Sequence, residues 1–144
     1  MDRILPLIGY LIFILGGIAM YTPWFQLKNS KRLTGKELGK QFPEHEWMRW
    51  GFAILYLSWI AIVCFFFIRV FPSIHAFSFL AGIFASIGLF IGLFAVITGV
   101  SLLPTRAPRV IFVVGAEAER AGRFQVAWSV CVLILAMAIE FLGR

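Results

Sequence analysis

The sequence predicts an all-α membrane protein, with four transmembrane helices in an up-down antiparallel bundle that forms one domain over residues 1–144. Two observations support this fold class. Hydrophobic residues make up 61% of the 144 residues, and the mean hydropathy is +0.92. The apolar residues are also gathered into four long runs, each close to the roughly 20 residues that an α-helix needs to cross a bilayer.

The four runs predict helices at residues 4–21, 45–71, 76–103 and 116–143. The first run lacks a clear signal-peptidase site, so we expect it to remain as a helix. Pro43, followed by Glu44 and Glu46, suits the start of the second helix, and Pro104 ends the third. The predicted linkers are residues 22–44, residues 104–115 and a short turn near Pro72.

The positive charges predict which linkers are cytoplasmic. Ten of the 13 Lys and Arg residues lie on or beside the two longer linkers, and the other three are Arg3, Arg69 and Arg144. Cytoplasmic loops of membrane proteins carry an excess of Lys and Arg. We therefore expect both longer linkers in the cytoplasm and both termini on the opposite side. This topology explains the charges without nucleic-acid binding.

The linker at residues 22–44 contains a helix-start signal. Thr34 and Glu37 have the spacing of a capping box, which satisfies free amides at a helix N-terminus. We expect either a short interfacial helix, with Leu33, Leu38 and Phe42 toward the membrane, or a solvated loop. Anionic lipid headgroups are the expected partners of the basic residues near both linkers. These are Lys28, Lys31, Arg32, Lys36, Lys40, Arg49, Arg106 and Arg109.

The second long linker contains an apolar run of five residues, Val110 to Val114. Its length is typical of a short strand, but it also suits a segment on the membrane surface or a docking site for a partner.

Small residues form a stripe along the third helix at a spacing of three and four, which places them on one face. They are Ser78, Ala81, Ala85, Gly88, Gly92, Ala95 and Gly99. Gly9 and Gly16 share a face of the first helix in the same way. Small residues let membrane helices approach closely, so each face predicts a helical neighbour, in this chain or in another.

Residues that carry chemistry are scarce. His45 and His75 are expected on opposite sides of the membrane, and Cys64 and Cys131 lack a paired-cysteine motif. Zinc, phosphate-loop, dinucleotide and nucleophile-elbow motifs are absent, so we predict no catalytic residue, metal or cofactor.

Glu140 is the one carboxylate within an apolar run, near the outer surface. We expect it to pair with Arg69 or Arg144. The alternative is a proton or cation site at the outer mouth of a conduit.

These observations favour a non-catalytic integral membrane subunit, an accessory, assembly or stabilising component of a larger complex in a bacterial inner membrane. Its expected partners are other transmembrane subunits or further copies of itself, together with lipids. A small oligomeric transporter or channel is the first alternative. The second is a membrane enzyme that acts on lipid at the cytoplasmic face through Lys36, Lys40, Arg106 and Arg109.

Overall fold

The computed structural model describes residues 4–70, 76–104 and 110–142, and 82% of them are helical. The elements in chain order are α1 (Ile4–Gln26), β1 (Leu33–Thr34), α2 (Gly35–Gln41), a 3₁₀ turn (Pro43–His45), α3 (Met48–Val70), α4 (Ala76–Thr98), β2 (Val100–Pro104), β3 (Val110–Val114) and α5 (Ala116–Leu142).

Three helical segments of the described chain are long and apolar enough to cross a membrane: Pro43–Phe65, Phe79–Thr98 and Ala116–Ile139. The apolar part of α1, Pro6–Ile18, is shorter. These helices make the chain compatible with a membrane protein, as its composition predicts.

Helices α1, α4 and α5 pack against one another and form the helical core. Its buried cluster consists mainly of small and β-branched side chains. Helix α3 lies beside this core and meets it chiefly at α4, where Phe52, Tyr56 and Trp59 pack against Phe90 and Phe94. In the apolar window of α3, 6% of residues are buried, against 50% in α4 and 33% in α5.

A three-stranded antiparallel sheet, in the order β1-β3-β2, covers one end of the helices. In its register Leu102 pairs with Phe112, which also pairs with Leu33 of the first linker. The sheet corrects two predictions. The fold is not purely α-helical, and the third long helix ends at Thr98 rather than at residue 103. Val100–Pro104 continues the apolar run of the helix before it, so composition alone did not separate the two.

The run Val110–Val114 is a strand, which was one of its three predicted states.

The C-terminal ends of α1 and α4 and the N-terminal ends of α3 and α5 meet at the sheet. On one side Leu27 packs with Leu103, Val113 and Ala118. On the other side a second cluster joins the sheet to α2, α3 and α4, through Leu33, Leu38, Met48, Ile91, Phe94, Val100, Leu102 and Phe112.

Helix α2 confirms the predicted capping box. The Thr34 hydroxyl accepts the Glu37 N–H, and the Glu37 carboxylate accepts the Thr34 N–H at 2.7 Å. Its apolar side does not face the membrane, however. Leu38 is fully buried among protein side chains and Leu33 is 4% exposed, because both fill the cluster beneath the sheet.

The second long helix begins later than expected. Pro43, predicted to start this helix, instead starts a separate 3₁₀ turn, and α3 itself begins at Met48 rather than at residue 45.

Candidate functional site

The small-residue stripe of α4 faces the helical core. Ala81, Ala85, Gly88, Gly92 and Ala95 are all buried, while the side chain of Ser78 lies outside the described residues. A Cβ built on Gly92 would lie 2.9 Å from the carbonyl oxygen of Gly122 in α5. The two helix backbones are therefore in direct contact at this point.

Gly99 has a different role from the other members of the stripe. No atom lies within 4 Å of a Cβ built on it, and its φ of +68° belongs to the left-handed region. Its N–H donates to Ala95 at the end of α4, and its carbonyl oxygen accepts the N–H of Gly115, whose φ is +119°. The pair turns the chain from α4 into the sheet and from the sheet into α5.

Gly9 and Gly16 of α1 are also buried. A Cβ on Gly16 would lie 3.0 Å from the carbonyl oxygen of Ala81, so α1 and α4 approach closely there. Ile12, between the two glycines, is 4% exposed and belongs to the core cluster. The face shared by Gly9 and Gly16 therefore lies against the same core as the stripe of α4.

Helix α5 carries a buried stripe that the sequence reading missed. Its members again follow a three-four spacing, and all are at least nine-tenths buried: Ala118, Ala121, Gln125, Ser129, Val132, Ala136 and Ile139. Gln125 and Ser129 obscured the pattern, because polar residues do not by themselves indicate a buried helix face. The spacing of Ala, Gln and Ser was the available signal.

Three polar side chains are fully buried, Gln125 and Ser129 on this face of α5 and Ser101 on β2. Ser101, Gln125 and Ser129 have no exposed surface, and the hydroxyls of Ser101 and Ser129 have no hydrogen-bond partner in the described part of the chain. Two other helical hydroxyls differ. Ser58 donates to Ile54 O at 2.8 Å, and Thr98 donates to the carbonyl oxygen four residues earlier. The interior thus contains two hydroxyls, one on β2 and one on α5, without a partner among the described residues.

Two tryptophans join helices through their indole N–H groups. Trp59 of α3 donates to the main-chain oxygen of Ser86 in α4 at 2.9 Å. Trp128 of α5 donates to the main-chain oxygen of Leu15 in α1 at 3.1 Å. Next to the first bond, Val63 and Cys64 of α3 and Ile83 of α4 line a shallow groove between the two helices.

The basic residues predicted to meet lipid lie mostly at the sheet end. Lys28, Lys31, Arg32, Lys36 and Lys40 are exposed there, whereas Arg106, Arg109 and the side chain of Arg49 lie outside the described residues.

Nearby acids form local bonds at this end. Glu117 accepts from Ser30, and Glu119 pairs with Arg123. The Thr34 N–H, with the Thr34 hydroxyl, lowers the pKa of Glu37 below its ordinary 4.5, because both groups favour the carboxylate.

Of the residues in the predicted ion pair, Arg69 alone has a side chain among the described residues. Arg69 is exposed with its guanidinium 5.6 Å from the ring centre of Phe65, but the Glu140 side chain and Arg144 lie outside the described residues.

The remaining candidate residues are scattered. His45 is half-buried beside Phe42, Cys64 is half-buried, Cys131 is exposed, and His75 lies outside the described residues. Within the described ranges no three His, Cys, Asp or Glu side chains are grouped as metal ligands would be.

No protein family, curated protein or solved structure matches this chain. The functional argument therefore depends on the packing and chemistry of its own residues.

Proposed function

We propose that this chain is an integral membrane protein with four spans, which serves as a non-catalytic subunit of a larger membrane complex. In this proposal α1, α4 and α5 form the scaffold, and the sheet lies on the cytoplasmic side with both termini opposite. The basic residues at the sheet end support this orientation, and a bacterial inner membrane is the proposed location.

The observation that carries the proposal is the isolation of α3. The other three long helices pack in a mutual core, whereas α3 meets that core through one face. Its opposite side forms a continuous exposed stripe at three-four spacing: Trp50, Ile54, Leu57, Ala61, Phe65 and Ile68. A stripe with this spacing suits a neighbouring transmembrane helix, and Ala61 would allow close approach at its middle.

Anionic lipid is the second proposed partner. The exposed lysines at the sheet end would hold headgroups through charge, without insertion of α2, since its apolar side is already buried against the sheet.

Site-specific photocrosslinking in native membranes tests the subunit role. A photoreactive residue at Leu57 or Phe65 should crosslink to one membrane protein that also co-purifies at fixed stoichiometry. The control position is Ile134 of α5, which is 60% exposed but lies outside the α3 stripe. Equal crosslinking from Ile134 and Leu57 would contradict the proposal, and crosslinks between copies of this chain alone would replace it with a homo-oligomer.

A matched pair of substitutions separates the interface from the fold. Ala61→Trp on the exposed stripe should release the co-purifying protein and leave thermal stability unchanged. Ala138→Trp, also exposed but on α5, should retain the partner. Retention of the partner by both variants would exclude the α3 stripe as the contact surface.

A further inference from the structure

We infer that a belt of exposed aromatic side chains at the sheet end lies in the headgroup layer of the membrane, so that the sheet, α2 and the first two turns of α5 lie outside the hydrocarbon. The belt consists of Phe25 in the last turn of α1, Trp47 and Trp50 beside the start of α3, and Phe124 in the third turn of α5. Phe25 is 78% exposed and Trp50 is 73% exposed, and the other two side chains are about half exposed. Large aromatic side chains of membrane proteins gather where headgroups meet hydrocarbon, because their rings leave water there.

The exposed surface changes from charged to uncharged at this belt. On the sheet side, the nearby exposed residues include Lys28 beyond α1, Glu46 before α3 and Arg123 in α5. On the other side, the exposed side chains that the structure describes in residues 4–25, 50–68 and 124–142 are all uncharged. Charged side chains are costly in hydrocarbon and are solvated by headgroups and water. The aromatic belt therefore lies at the boundary between a surface that suits water and one that suits lipid.

The apolar lengths that extend from the belt match one bilayer. Residues 50–68 of α3 and 124–142 of α5 number 19 each, and residues 4–25 of α1 number 22. At 1.5 Å per residue these segments are about 28 Å long in α3 and α5 and about 33 Å long in α1. The hydrocarbon core of a bilayer is about 30 Å thick, and a modest tilt accommodates the longer helix. Each of the three helices therefore has the length of one span when it is measured from its own aromatic residue.

A membrane surface at the belt places the polar contacts of the sheet end among headgroups or in water. The Ser30 hydroxyl donates to Glu117, and Glu119 pairs with Arg123 within α5. Glu117 and Arg123 are exposed, and hydrocarbon does not solvate such groups. The inference rests on the proposed insertion of the long helices in a membrane, but it is independent of the proposed subunit role.

Spin-label depth measurements test the position of the belt. The purified protein, with its two cysteines replaced by alanine, is labelled at one new cysteine at a time and reconstituted in phosphatidylcholine bilayers. Power saturation compares collisions with oxygen, which concentrates in hydrocarbon, and with a water-soluble nickel chelate. Phe25 and Phe124 are the belt positions, and the matched controls Ile14 and Ile134 are exposed on the same helices about 15 Å further from the sheet. The oxygen-to-nickel collision ratio should be severalfold lower at each belt position than at its control, and lowest at Lys28.

The other outcomes separate this inference from the proposed function. Ratios at Phe25 and Phe124 as high as those at Ile14 and Ile134 would place the belt within the hydrocarbon and overturn the inference, while membrane insertion would stand. Few collisions with either reagent at Phe25 and Phe124 would show that protein rather than lipid covers the belt, which would also overturn it. Equally low ratios at the belt and control positions would contradict membrane insertion itself, and the proposed function with it.

Discussion

Gly92 and Gly122 face each other across the α4–α5 interface with no room for a methyl group on either. A Cβ on Gly92 would lie 2.9 Å from the carbonyl oxygen of Gly122, and one on Gly122 would lie 2.8 Å from that of Gly92. In lipid, apolar side chains gain little from meeting each other, so close backbone contact is a main source of helix association. At this reciprocal pair the backbones of α4 and α5 are in direct contact.

Alanine at either glycine should therefore separate the two helices. We expect Gly92→Ala and Gly122→Ala each to lower the free energy of unfolding by about 1–3 kcal/mol, because backbone atoms cannot move aside as a flexible side chain can. Gly17→Ala is the control, since no atom lies within 4 Å of its Cβ. Denaturant titration in mild detergent measures the effect, and equal stability of the Gly17 and Gly92 variants would refute the predicted contact.

Gly99 and Gly115, where the sheet joins α4 and α5, should tolerate other residues poorly because their φ angles are positive. Gly99→Ala should cost about 1–2 kcal/mol, because L-residues avoid a positive φ, and Gly99→Asn should cost less. Gly115→Ala should cost more than Gly99→Ala, since its φ of +119° lies outside the region that Asn also visits. Thermal unfolding of the four proteins checks the order. Alanine and asparagine variants of Gly99 with the same Tm would contradict it.

The hydrogen bonds from the indole N–H groups of Trp59 and Trp128 should stabilise the contacts between the helices that they join. Trp59→Phe and Trp128→Phe should each lower the free energy of unfolding by about 0.5–1.5 kcal/mol. Each variant loses an interhelical hydrogen bond to a main-chain oxygen, and lipid supplies no donor to replace it. Trp59→Phe should also widen the α3–α4 distance, measured between spin labels on the two helices. Leu57→Ala provides the control, as Leu57 is 66% exposed on the opposite side of α3 and should change neither quantity. A wider distance in the Leu57 variant would show that lost side-chain volume on α3, rather than the hydrogen bond, governs packing.

The capping box predicts that the stability of α2 depends on pH. Thr34→Ala should cost about 0.5–2 kcal/mol and speed hydrogen exchange of the first α2 amides. The pKa of Glu37 is lowered in the folded chain, so its stabilisation is fully present above the ordinary 4.5 and is lost as pH falls through the lowered pKa. Glu37→Gln should thus speed exchange at neutral pH and match the unsubstituted protein in acid. A difference that persists in acid would contradict this linkage.

Local signals in the sequence predicted local structure well. Thr34 and Glu37 are three residues apart and form the capping box that their spacing indicates, and Pro43 starts a helical turn. The apolar runs likewise give long helices. Each of these features depends on residues within a turn or a single helix, so no distant partner has to be known.

Features that depend on distant partners were harder to predict. The core face of α5 was missed, since Gln125 and Ser129 become core residues only through packing against α1 and α4. An interfacial helix, one of the two alternatives for this linker, would turn the apolar side of α2 toward lipid, but Leu38 lies beneath the sheet. Hydrophobicity predicts that such side chains leave water, but it does not distinguish a lipid environment from a protein one.

Composition and spacing by themselves determined that this chain forms long apolar helices with a capped helical turn between two of them. The tertiary structure decided the rest. It made a strand of Val100–Pro104, because that segment pairs with Val110–Val114, and it left one side of α3 uncovered while α1, α4 and α5 formed a core. Helix formation satisfies backbone groups within one segment, whereas strand pairing and helix packing require residues far apart in the chain.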